Sequence, residues 1–218
     1  MIRKLIKTFD PILKWFYKRY SSKPRKYRYQ NIEVIVYPEV FPPHFTISTK
    51  LLLDFIKPLD LKEKKVLELG CGSGIISLLA ASKGALVTAS DINKTALKAL
   101  EKASIKNALP VQIIYSNLFD ELQEKHFDYI IINPPYYPKT PKNTKEHAWF
   151  CGENFEYFEK LFQQLPSYIE HSEVLMILSE DCDLEKITTI AQQYALKFKK
   201  VLEKKVMTET NYIFKVHN

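Results

Sequence analysis

The chain has 218 residues, enough for one well-buried α/β core with a short appendage and too few for two full domains. It is 46% hydrophobic and 26% charged, as soluble globular proteins are, and no stretch approaches the roughly 18 continuous apolar residues of a membrane span. The net charge of +7 is concentrated at the amino end: Met1 to Tyr29 carries ten Lys or Arg against one acid, Asp10, which leaves the remainder at −2.

Such asymmetry points to an anionic partner, either nucleic acid or a membrane surface, or else to a solvated face that aids solubility. Ile2, Leu5, Ile6 and Phe9 share one helical face. Asp10 then reads as an N-cap and Pro11 as the first residue of a second helix through Tyr20, with Ile12, Leu13, Phe16 and Tyr20 as its stripe. Its aromatic residues set among Lys and Arg also fit an interfacial membrane anchor, whereas packing on the core or gripping a substrate are competing roles. Ser21 to Arg28 reads as a basic linker. The expected division is therefore a basic helical extension over residues 1–30 and one domain over residues 31–218. Lys or Arg interrupts every early apolar run, so no secretory leader is read. Cys71, Cys151 and Cys182 are odd in number and far apart, which suits reduced thiols in the cytoplasm.

Glu33 to Tyr37 reads as a short strand, Pro38 to His44 as a Pro-rich turn, and Ser48 to Ile56 as a helix. A regular alternation follows. Strands are expected at Lys65–Leu69, Leu86–Ser90, Val111–Tyr115, Phe127–Ile132 and Val174–Leu178. Helices are expected at Ser73–Lys83, from the Asn93 cap to Asn107, at Asn154–Leu165 and at Asp183–Tyr194. Phe198–Val206 and Tyr212–Val216 read as a closing hairpin. Strands alternating with helices imply a doubly wound, mostly parallel sheet, and the apolar runs 129–132 and 174–178 are what buried parallel strands require.

Three of the five glycines, Gly70, Gly72 and Gly74, fall in one strand-to-helix turn, Glu68-Leu69-Gly70-Cys71-Gly72-Ser73-Gly74. This G-x-G-x-G is one residue short of the dinucleotide fingerprint and lacks the G-K-[S/T] of a phosphate-binding loop. Glu68 beside it would repel a pyrophosphate but suits the ammonium group of a methionine-like ligand. Asp91, at the tip of the next strand, can accept hydrogen bonds from both hydroxyls of a ribose. That holds for a nicotinamide dinucleotide and for S-adenosylmethionine alike.

The apolar strand ends in Asn133-Pro134-Pro135-Tyr136. Pro134 forces Asn133 to be extended and each ring fixes its own φ, so the segment cannot enter a helix. Its oxygens are then placed as rigid acceptors in the crevice of the sheet. A planar NH2 group has a delocalised lone pair and is a poor nucleophile. If Asn133 Oδ1 and the Pro134 carbonyl each accept one of its N–H groups, charge developing on nitrogen is stabilised. Tyr136 is expected to supply an aromatic wall for a planar substrate.

These residues resemble the HemK-like amino-nitrogen methyltransferases, from about Val36 to the carboxyl terminus. The resemblance implies a class I, Rossmann-like fold that binds S-adenosylmethionine through Glu68, Gly70, Cys71, Gly72, Gly74, Asp91, Ile92, Asn117 and Leu118. It implies Asn133, Pro134, Pro135 and Tyr136 as the grip on the target amide. Glu146 to Asn154 is similar to the family's Ala-x-x-x-Gly region, and Pro42 to Leu53 to its cofactor-covering segment. Asn117 stands where the family usually has Asp against the adenine. The segment ahead of the match is shorter than the helical domain of the bacterial release-factor enzymes. Two acceptors follow from the resemblance: a glutamine amide of a protein such as a release factor, or an amino group of adenine or guanine in RNA or DNA. The excess positive charge favours nucleic acid. A nicotinamide-dependent oxidoreductase on a similar sheet is the competitor of another class. The five histidines show no metal-ligand spacing.

Overall fold

The computed structural model describes residue 19 and residues 22–44, 46–206 and 209–218. The two helices expected between Ile2 and Tyr20 lie, but for Arg19, outside these described residues. The linker expected from Ser21 to Arg28 is corrected in its second half. Arg25–Tyr29 forms β1, antiparallel to β2 (Ile32–Val36), with Tyr27 opposite Val34. A period of two explains this: Arg25, Tyr27 and Tyr29 are half-buried, whereas Lys26 and Arg28 are exposed. Two of the cations that suggested a linker, Lys26 and Arg28, are the outward half of a strand.

The chain then runs α1 (Ile47–Ile56), β3 (Lys65–Leu69), α2 (Ile75–Ser82), β4 (Leu86–Asp91), α3 (Lys94–Asn107), β5 (Gln112–Tyr115) and β6 (Tyr129–Ile132). A single 3-10 turn at Glu146–Ala148 precedes α4 (Glu156–Gln164), α5 (Pro166–Ile169), β7 (Glu173–Ser179), α6 (Leu184–Gln193), β8 (Lys197–Val206) and β9 (Glu209–His217). Asn93 caps α3, its side chain accepting the Thr95 and Ala96 N–H groups at 2.9 and 3.3 Å. Asp183 caps α6 through the Lys186 N–H at 3.0 Å. The helix expected over Asn154–Leu165 starts later and is followed by a separate turn of helix opened by Pro166.

Seven strands form the main sheet in the order β5-β4-β3-β6-β7-β9-β8. The first five are parallel, and β9 joins β7 antiparallel to close with β8. One face carries α1, α2 and α3 together with the β1–β2 hairpin; the other carries α4, α5 and α6. Asn107 clamps the hairpin to α3, accepting the Glu33 N–H at 3.1 Å and donating to the Glu33 carbonyl at 2.9 Å. From β3 the chain moves to β4 on one side and later returns to β6 on the other. The connections therefore diverge between β3 and β6, which opens a crevice at their carboxyl ends. On the outer edge, β8 carries Lys197, Lys199, Lys200, Lys204 and Lys205, charges that discourage pairing with another chain.

Candidate active site

A cavity of about 500 Å3 occupies that crevice, within the size range of small-molecule sites. Gly70, Cys71 and Gly72 after β3, Asp91 at the end of β4 and Ile92 after it, Asn117 and Leu118 after β5, and Asn133 and Pro135 after β6 all line it. Residues expected from four separate places in the sequence thus meet around one hollow.

The glycine turn is held from within. The Gly70 and Cys71 N–H groups both donate to the Ser90 carbonyl at 2.9 Å, and the Gly72 N–H donates to Asp91 Oδ2 at 2.8 Å. The N–H groups of Ser73, Ile75 and Ile76 have no acceptor among the described residues, and all three residues line the cavity. They form an anion-ready helix start. Gly74 is not in the cavity wall. Its φ is +70°, and a side chain there would collide with Leu100 of α3, so this glycine serves helix packing. The same left-handed residue delays α2 to Ile75, two residues after the expected start.

Glu68 is buried, with Oε2 accepting the Ser77 N–H at 2.8 Å and also the Ser77 hydroxyl. It caps α2 from the neighbouring strand. Burial pushes its carboxyl up to about 8 despite these two bonds. Asp91 Oδ1 accepts the Asn93 N–H at 2.8 Å, and burial raises this carboxyl too, against the pull of the backbone donors. Burial likewise raises both cavity thiols, Cys71 well above its ordinary value and Cys151 to about 11, so neither is a ready nucleophile near neutral pH.

Asn133 is half-buried in the cavity wall, and its side chain has no hydrogen-bond partner among the described residues. No described N–H donates to the Pro134 carbonyl. Pro134 itself is buried and, unlike Asn133 and Pro135, does not line the cavity. The expected aromatic wall is corrected: Tyr136 is 6% exposed, lies in the core against α4, and meets Tyr137 with ring centroids 4.9 Å apart. After the two prolines Tyr136 is carried into the core, and the next residue, Tyr137, bridges Phe150. Phe41, Phe150 and Tyr157 supply the aromatic surface instead.

Phe41 went unread because it lies on a segment without periodicity; Phe150 fell within the Glu146–Asn154 resemblance, and Tyr157 sits on α4, whose pattern does not mark which face meets a ligand. Glu39 to Phe41 cross the cavity ahead of α1, tied down by Asn93 Nδ2 donating to the Glu39 carbonyl at 2.8 Å. From the opposite side come Thr140, Thr144, His147 and Phe150 to Gly152. Phe41 and Trp149 join the two flaps, ring centroids 4.8 Å apart. Among the described residues, no three of His, Cys, Asp or Glu gather as metal ligands, and no described helix is long and apolar enough to cross a membrane.

The strand order, with a hollow at the β3–β4–β6 ends, is that of the class I, Rossmann-like methyltransferase fold. Residues 31–151 match the methyltransferase small-domain family. A Methanocaldococcus jannaschii protein with the provisional name protein N5-glutamine methyltransferase is 33% identical over 166 residues, covering 73% of this chain and 81% of that protein. Ribosomal RNA small subunit methyltransferase C of Actinobacillus pleuropneumoniae is 34% identical over 116 residues, 52% of this chain and 35% of that longer protein. Among solved structures, the Mtq2–Trm112 complex of E. cuniculi, described as methylating the eRF1 translation termination factor, aligns over 83% of this chain and 99% of the other. Its TM-score is 0.64 at 19% identity, a likeness of fold. The chain belongs to the methyltransferase small-domain family, and it is an S-adenosylmethionine-dependent enzyme.

The cavity fits that cofactor. Glu39, Glu68, Asp91 and Glu156 bring four carboxyl groups to its wall, suited to a ligand that carries an ammonium and a sulfonium. The free N–H groups of Ser73, Ile75 and Ile76 suit its carboxylate.

Proposed function

We propose that this enzyme methylates a planar amino nitrogen, and that the acceptor is the side-chain amide of a glutamine in a protein such as a release factor. The observation that carries this reading is Asn133, whose amide lies in the cavity wall without a partner among the described residues. A buried or half-buried amide left so usually awaits a ligand or water.

In this reading Asp91 accepts the ribose hydroxyls, Ile92, Asn117 and Leu118 flank the adenine, and Glu68 with the Gly70–Gly72 turn holds the methionine end. S-adenosylmethionine, when bound, supplies an electrophilic methyl group. Asn133 Oδ1 and the Pro134 carbonyl each accept one N–H of the target amide. They fix its plane and stabilise the positive charge that develops on nitrogen, so no strong base need act first. Pro134 and Pro135 keep these acceptors rigid.

The M. jannaschii relative supports glutamine, because it covers most of this chain. A second reading, the amino group of adenine or guanine in nucleic acid, is supported by the ribosomal RNA relatives over a shorter span. Incubation with radiolabelled cofactor and separate protein, RNA and DNA fractions tests both. Label in protein, recovered as N5-methylglutamine after complete proteolysis or as methylamine after acid hydrolysis, and absent with Asn133→Ala, is the expected result. Label confined to RNA or DNA overturns the glutamine reading.

A further inference from the structure

Beside the mouth of the cavity lies a second, smaller pocket of about 30 Å3, whose wall includes Lys23, Arg25, Tyr37, His44, Lys145 and Trp149. Val40 belongs to both walls, and the Phe41–Trp149 ring contact is the partition between the two hollows. Three segments far apart in sequence bring its basic groups together: the approach to β1, the turn before α1, and the loop between β6 and α4. Among the described residues no carboxyl group lines this pocket, whereas four line the cavity next to it. Elsewhere among the described residues seven lysines pair with an acid, as Lys26 and Lys106 do with Glu33 and Lys160 with Asp120. Lys23 and Lys145 make no ion pair with any described residue. Lys23 and Lys145, brought to one pocket without a counter-charge of their own, repel one another, and a bound anion removes that cost.

The size of the pocket selects among anions. A nucleic-acid strand needs a basic groove that tracks several phosphates. A hollow this small, walled by Tyr37 and Trp149, takes one carboxylate and the short stem that carries it. We propose that this pocket binds an Asp or Glu side chain of the protein substrate, a few residues from the methylated glutamine. The proposal rests on the glutamine reading above and adds a rule for choosing among glutamines. The acidic cavity and the basic pocket together favour a substrate whose neutral amide enters one while its carboxylate enters the other.

The test uses the full chain and a synthetic peptide library with a central glutamine and randomised flanks, with methylated products sequenced by mass spectrometry. Asp and Glu are expected to be enriched about tenfold in the methylated fraction at low salt, a factor of ten being about 1.4 kcal/mol. The enrichment should fade with added salt. In a Lys23→Glu/Lys145→Glu variant it should vanish, while affinity for S-adenosylhomocysteine stays unchanged. A library methylated without acidic preference, or a preference unmoved in the variant, overturns the pocket and leaves the glutamine reading intact. If RNA oligonucleotides are methylated and no peptide is, both fall together.

Discussion

The carboxylate of Asp91 and the backbone of Gly72 are bound to one another: Oδ2 accepts the Gly72 N–H at 2.8 Å, while Oδ1 accepts the Asn93 N–H at 2.8 Å. Each oxygen retains a lone pair for a ligand. One side chain therefore shapes the glycine turn, starts α3 and faces the cavity. Removing it should cost structure as well as binding. Asp91→Ala is expected to weaken S-adenosylhomocysteine binding by about 100-fold and to lower stability by about 1–3 kcal/mol, the cost of leaving buried donors unpaired. Calorimetric titration and thermal melting separate the two effects. Unchanged affinity would remove Asp91 from the proposed ribose site.

Asn133→Ala should behave differently. Its side chain holds no other described residue in place, so the fold has little to lose. S-adenosylhomocysteine affinity is expected to stay within about threefold, while methyl transfer falls by roughly 100-fold or more, as for loss of one preorganised acceptor. Single-turnover assays on the identified substrate check this, and full turnover by the variant would be incompatible with the proposed amide grip.

Glu68 supplies a prediction in pH. Its folded-state value of about 8 lies above the ordinary 4.5, so the folded protein holds this proton more tightly than the unfolded chain. The associated stability is complete below about 4.5 and is lost as pH rises through about 8. Glu68→Gln keeps an acceptor for Ser77 and removes the titration. Relative to the native protein, the variant's unfolding free energy should match at acid pH and rise progressively between these limits, by an amount on the order of a few kcal/mol, with its melting temperature rising in step. Calorimetry across that range decides it; a constant offset at every pH would contradict the assigned cause. Binding of a ligand ammonium nearby should also release the Glu68 proton, which appears as buffer-dependent binding enthalpy.

Gly152 has φ +92°, and a side chain there would fall on the Glu156 carboxylate and lie 3.1 Å from the Glu156 N–H nitrogen. That carboxylate holds the Asn154 N–H at 3.0 Å just ahead of α4. Gly152→Ala is therefore expected to destabilise by about 1–3 kcal/mol, the strain of a left-handed residue added to the collision. For a chain of this size about 1 kcal/mol lowers the melting temperature by about 2–4 °C. A melting curve equal to that of the native protein would count against this packing.

Much of this protein can be read one segment at a time. The strands at Lys65–Leu69 and Glu173–Ser179, the Asn93 and Asp183 caps, and the approach of Gly70, Asp91 and Asn133 to one crevice follow from local pattern and from chain connectivity. A buried parallel strand needs a continuous apolar run, a cap needs an oxygen at one position, and a turn at φ near +70° favours glycine. Such demands act over a few residues and leave their mark in order.

Tertiary structure decided the rest. Basic residues hid the alternation of Arg25–Tyr29 until β2 supplied a partner for it. Only the packing of α2 on α3 revealed that Gly74 answers to Leu100 rather than to a ligand, and only the path after Pro135 turned Tyr136 into the core. Lys23 and Lys145 stand 122 positions apart and share no period, yet they line one pocket. Sequence pattern records which face each segment must bury. Where two aperiodic segments cross is set by the packing of everything beneath them, and in this enzyme those crossings make the mouth of the site.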